Sequence, residues 1–164
     1  MAYYDISGTS YEAIFKQVKA RGPGPDNDPS APRDTYAFAS TQLEEVKFVG
    51  DCRVSAVAYL SFHQTILVPR LTPGGSGLSQ QNIDAWNYQL EVAALHEGRH
   101  LFINASTVVE YQAKMRTTLG GCSAIDNLFQ QMNQDLRDRN LAYHAELRAN
   151  CKPELGCSPK WFGT

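Results

Sequence analysis

An α+β domain is the fold class the sequence predicts, a small antiparallel sheet followed by two long helices. Two observations predict it: strand-like apolar alternation is confined to the first half, and from Ser79 onward the pattern has helical period, with one break at Gly120-Gly121. Size is the third. At 164 residues the chain can bury a core as one domain, so a single domain over 1–164 is expected.

Each element has a local reason. Tyr3, Tyr4 and Ile6 suggest a short first strand, and Thr9 with Glu12 forms a capping-box pattern opening an amphipathic helix through Ile14, Phe15 and Val18. Arg21 to Asp34 carries four prolines among Gly, Asp and Asn and reads as an irregular loop. Tyr36 to Thr41 and Val46 to Val49 read as strands. Val54 to Phe62 mixes alternation with an apolar run, and Thr65 to Val68 follows before Pro69. Thr72 to Gly77 ends the sheet half. Ile83, Trp86, Leu90, Ala93, Ala94 and Leu101 then recur at helical spacing, so Gln80 to about Thr118 is expected to lay one face on the sheet. After Gly120-Gly121 the last helix should return antiparallel beside it.

Composition narrows the function. With 43% hydrophobic residues, 20% charged residues and a formal charge of -2, the chain lacks the basic field that nucleic acid requires. No stretch approaches the roughly 20 apolar residues of a membrane helix. Met1-Ala2-Tyr3-Tyr4-Asp5 lacks the basic and apolar regions of a signal peptide, although a removed signal would leave the same appearance. Oligomeric state is not readable.

The four cysteines, Cys52, Cys122, Cys151 and Cys157, form no Cys-x-x-Cys pair. Disulfides are the preferred reading over four reduced thiols. A bridge from Cys151 to Cys157 would close a short turn-rich loop and leave Cys52 for Cys122, one of three formal pairings.

The long helix contains His96-Glu97-Gly98-Arg99-His100. Residues i and i+4 share a helical face, so both imidazoles can reach one metal, while the intervening Glu can take a proton from the attacking water. This is the zincin pattern. Two ordinary helical histidines are the plainer reading, which the helix and the preceding strand weigh against. A catalytic zinc normally takes three protein ligands. The extended metzincin motif fails, since Ile103 and Ser106 stand where it needs Gly and His. Glu110 lies about 15 Å further along the helix than His100, beyond reach. His144, between Tyr143 and Glu146 on the returning helix, is the preferred third ligand. His63, Asp126 and Glu146 are the alternatives. Tyr143 is a candidate donor to the developing oxyanion, with an ordinary core or surface aromatic as its plain alternative.

The opening Tyr3-Tyr4-Asp5-Ile6-Ser7-Gly8, the Cys52-x-Val54 strand leading to Val68-Pro69, the Trp86 to His100 helix and Cys122 resemble a bacterial family known as predicted secreted zinc-dependent proteases, a domain otherwise of unknown function. The resemblance spans almost the whole chain. It implies an exported, zinc-binding domain, secreted or periplasmic, with zinc as cofactor; membership does not itself establish proteolysis, and a peptide or protein substrate is expected from the zincin pattern. One departure stands at the carboxyl end. The family's histidine position there is Ala149, and His144 is about 7.5 Å earlier along a helix, so His144 is not a simple replacement.

The function expected is therefore a zinc hydrolase, a peptidase by preference, with His96, His100 and His144 on the metal and Glu97 as general base. The alternatives are a zinc-binding or protein-binding module without turnover and a zinc amidase acting on a non-peptide amide.

Overall fold

In a computed structural model, residues 2–21, 38–49, 57–72 and 78–155 are described. The element order is β1 (Ala2–Ile6), α1 (Tyr11–Arg21), β2 (Phe38–Val49), β3 (Val57–Leu71), α2 (Gln80–Thr117) and α3 (Gly121–Ala149), closed by a 3-10 turn at Pro153–Leu155. The class is α+β, with a three-stranded sheet of order β1-β3-β2.

The antiparallel expectation is corrected at β1. Ala2 to Ile6 pair in parallel with Leu67 to Leu71, in a register that sets Tyr4 opposite Pro69. A strand followed at once by a helix can cross over and return in the same direction, which a tight hairpin cannot. The backbone N–H of Thr72 continues this ladder by donating to Ile6 O at 2.9 Å.

Three local expectations are also revised. The helix α1 is capped by Ser10 rather than Thr9, because the Ser10 Oγ accepts the N–H of Ala13 at 3.2 Å. The two strands read from Tyr36 to Thr41 and from Val46 to Val49 are one, β2. The strand expected to stop before Pro69 runs through it to Leu71, because β1 pairs along that stretch. The expected loop from Arg21 to Asp34 lies, beyond Arg21, outside the described residues.

The chain divides into two compact units, one of residues 1–40, 65–98 and 151–164, the other of residues 41–64 and 99–150. Each has its own apolar centre. In the first, Ile6, Ile14, Val18 and Trp86 bury together, with Tyr4, Leu71, Leu78 and Leu90 packed around them. Ile14 and Val18 stand one turn apart on α1, so that helix presents a single apolar edge. Val68 and Ala93 form a smaller contact beside them. In the second unit, Leu60 packs with Val108, Tyr111 and Met115 of α2 and Ile125 and Met132 of α3.

The helical hairpin expected at Gly120-Gly121 is present. Both residues hold positive φ, 144° and 70°, which allows the chain to reverse between α2 and α3 where a side chain would be strained. The buried positions 86, 89, 93 and 97 recur every three or four residues, and after a gap of eleven residues, which keeps nearly the same helical face, 108, 111 and 115 do so again. Glu97 lies on that face. Among the described residues, no helix is long and apolar enough to cross a membrane.

A candidate metal centre on two helices

His96, His100 and Asn104 follow one another at intervals of four on α2, and Asn140 and His144 do the same on α3. That spacing aligns each set along its own helix. The stripe on α3 meets that on α2 at three points, one of them the bond from Asn140 to Asn104. His100 Nδ1 is hydrogen-bonded to Asn140 Oδ1, and His144 Nε2 lies 2.9 Å from His100 Nε2. His96 is fixed to His100 by the helix that carries both. One ring nitrogen from each of His96, His100 and His144 lies within 4.8 Å of the others, a grouping able to hold a metal ion.

This donor set suits zinc. Three imidazoles are borderline-soft ligands, and tetrahedral zinc with bonds of about 2.0–2.1 Å sets its nitrogens about 3.3 Å apart. The 2.9 Å between His100 and His144 is slightly shorter and fits one N–H donating to one lone pair. To hold an ion, the His100–His144 pair would open by a few tenths of an ångström and the widest pair of the cluster, spaced up to 4.8 Å, would close.

The amide of Asn140 is oriented by its neighbours. Its Nδ2 donates to Leu136 O at 2.6 Å and to Asn104 Oδ1 at 2.9 Å. A backbone carbonyl only accepts, so the amide nitrogen must face Leu136 and the amide oxygen is left for His100. His100 then donates from Nδ1 and presents its Nε2 lone pair toward His144. Tyr143, buried at 7% exposure, sets its ring edge-on to His100 with centroids 5.1 Å apart.

Burial disfavours the charged form of two of the rings. Burial pushes His100 below the ordinary histidine pKa, against the opposing effect of the Asn140 hydrogen bond. His144 is also lowered, first by burial and then by facing His100 and Arg148. Neutral imidazole is the form that binds a metal. Glu97, at 7% exposure, is the one buried carboxylate among the described residues.

The other candidates fall elsewhere. His63 lies inside β3, and it is exposed. Its neighbour Gln64 donates to Leu101 O at 2.9 Å, so strand alternation sends His63 to the opposite face of β3 from the motif helix. Asp126 is exposed near the start of α3, about 27 Å along the helix from His144. Glu146 is exposed and about 200° around α3 from His144. Glu110 is engaged by Lys114 and Arg139, each at 2.7 Å. Asn140 and Asn104 were not anticipated. Their signal in the sequence is the spacing of four that each keeps from a histidine.

Cys122 and Cys151 are both disulfide-bonded. The expected partners, Cys52 and Cys157, lie outside the described residues.

A family profile described as "Bacterial protein of unknown function (DUF922)" matches residues 1–150. The chain belongs to this bacterial family of unknown function. The match takes in β1, the motif helix α2 and the whole of α3, so every residue of the histidine cluster lies within the family's own domain. Comparison with curated proteins and with solved structures finds no match.

Proposed function

We propose that this chain is a zinc-dependent hydrolase of zincin type, acting on peptide bonds in an exported setting. The observation that carries the reading is the convergence of His96, His100 and His144 within 4.8 Å, with Glu97 buried on the helical turn between the first two. The three histidines would hold the ion through ring nitrogens, and burial lowers the pKa of two of them, His100 and His144, toward the metal-binding form. Bound there, zinc supplies Lewis acidity and a water that ionises near neutral pH.

The remaining work belongs to the protein. Glu97 takes the proton of the attacking water and returns it to the leaving amine, the general-base role of the carboxylate in this motif. Tyr143 braces the His100 ring, and its hydroxyl is the proposed donor to the oxyanion. The disulfides at Cys122 and Cys151 support an oxidising compartment.

The near-complete burial of Glu97 favours a second reading, a metal-binding module without turnover. One paired experiment separates the two. Elemental analysis should find about one zinc per chain in the wild type and in Glu97→Gln, while cleavage of a peptide library falls by a factor of about 10² to 10⁴ in the variant. Zinc without cleavage in the wild type selects the module. Cleavage of small amides but not of peptides selects an amidase.

A further inference from the structure

We infer that Asn140 is the positioning residue of this centre: by accepting the Nδ1–H of His100, it holds that ring in the tautomer whose Nε2 lone pair faces His144. The inference rests on the reading of His100 as a metal ligand.

The chain of reasoning begins at a group with no freedom. Leu136 O is a backbone carbonyl and can only accept, so the bond it receives from Asn140 Nδ2 at 2.6 Å settles which way the amide points. Asn104 Oδ1 takes the second proton of the same nitrogen at 2.9 Å. Both donors of Asn140 are thereby committed, and its oxygen is what remains for His100 Nδ1. An imidazole with Nδ1–H fixed is neutral only if Nε2 carries the lone pair. That nitrogen is the one lying 2.9 Å from His144 Nε2.

A merely structural asparagine would need only to satisfy its own polar groups. Here the amide sits four residues from one ligand, touches another, and transmits the direction of a backbone carbonyl to an imidazole lone pair. A partner on the far nitrogen of a metal-bound histidine selects its tautomer and raises its basicity. Asn140 supplies this as a neutral amide in place of the more usual carboxylate or backbone oxygen. His144 has the complementary task. Metal-free, its Nε2–H donates to His100, and on binding an ion it must carry its proton on Nδ1 instead.

The test uses the full chain with ¹⁵N-labelled histidine. In the metal-free wild type, His100 should show a protonated Nδ1 and a bare Nε2, and His144 the reverse. On zinc addition His100 should keep its tautomer while His144 exchanges. Asn140→Leu should mix the His100 tautomers and weaken zinc about 10- to 100-fold in competition with a chelator. Asn140→Asp keeps an acceptor for the Nδ1–H but gives up both donors, so it should recover the His100 tautomer relative to the leucine variant. Asn104→Ala leaves the acceptor but loosens it, giving a smaller loss that stands in should the leucine variant not fold.

An Nε2-protonated His100 in the wild type overturns the proposal, as does an Asn140→Leu protein that folds with the tautomer and zinc affinity unchanged. Failure of the wild type to bind zinc sinks the metal reading instead, and the tautomer experiment, which needs no zinc, still decides whether Asn140 holds His100.

Discussion

Replacing Gly98 by alanine tests whether the open side of the motif helix is kept open for a reason. Gly98 lies inside α2 between Glu97 and Arg99, where glycine costs helix stability because its unfolded backbone has more freedom to lose. A Cβ built there meets no atom within 4 Å, so Gly98→Ala introduces no clash to offset the gain. The expected stabilisation is about 0.8–1.0 kcal/mol, the full difference between Gly and Ala in a helix interior. At an unfolding entropy near 2.1 cal/mol/K per residue, that raises Tm by about 3 °C for a chain of 164 residues. Calorimetry measures the shift. Zinc content should not change, since His96 and His100 keep their places one turn apart. If substrate lies along this face, the added methyl group raises KM while the folded state gains stability, a trade that explains a glycine at a position where alanine fits. A fall in Tm would refute the reasoning, because it would mean that the space beside Gly98 is occupied in the folded protein.

Four further outcomes follow from the geometry. His144→Ala should lose most of its bound zinc while His63→Ala keeps it, as measured by elemental analysis, because only the former lies in the cluster. Tyr111→Phe should cost about 1 kcal/mol in a denaturant titration, through loss of the hydroxyl's 2.8 Å bond to Asp135 Oδ2. Lys114 and Arg139 hold the Glu110 carboxyl below its ordinary value of 4.5, so the stability this gives is present above that pH and lost as pH falls through the lowered pKa; Glu110→Gln should cost about 0.5 kcal/mol at pH 7, and the gap should close in acid melts. Gly120→Ala should destabilise by about 1–2 kcal/mol, since φ there is 144° and the new Cβ would lie 3.0 Å from that of Ala124.

The motif helix was legible because its signals are local. Trp86, Ala93 and Leu101 carry the helical period, and His96-Glu97-x-x-His100 carries chemistry in five consecutive residues. His144 was legible at one remove: a glycine pair implied a hairpin, and a hairpin implied a facing helix. Asn140 and Asn104 were not, because a neutral amide on a polar helix face has the same appearance whether it meets water or an imidazole. Their partnership depends on the register of two helices, which no short window contains. Sheet direction failed for a related reason. Alternation identifies a strand but not its neighbour, and the clue available, a helix immediately after Tyr3 to Ile6, points to a crossover and hence to the parallel pairing with Leu67 to Leu71.

The order of contacts along the second unit explains how a site on two helices keeps its geometry. Nearest the Gly120-Gly121 turn, Met115, Ile125 and Met132 pack in an apolar layer. Further along come the bonds from Tyr111 to Asp135 and from Arg139 to Glu110, and beyond them the Asn104, Asn140, His100 and His144 group. The turn alone could not hold two rings in register, because His100 stands about 25 Å from it along α2 and a small error in crossing angle grows with distance. The apolar layer prevents sliding, since a helix cannot shift by less than a turn without burying the wrong side chains. The charged pairs then fix rotation at the last layer before the histidines. Tyr143 and Leu147 are buried beside and beyond the histidines on α3, so apolar packing resumes past the polar group. The histidine group thus sits where the register of the two helices is already set, so that admitting an ion between His100 and His144 would ask for movement of side chains and not of either helix.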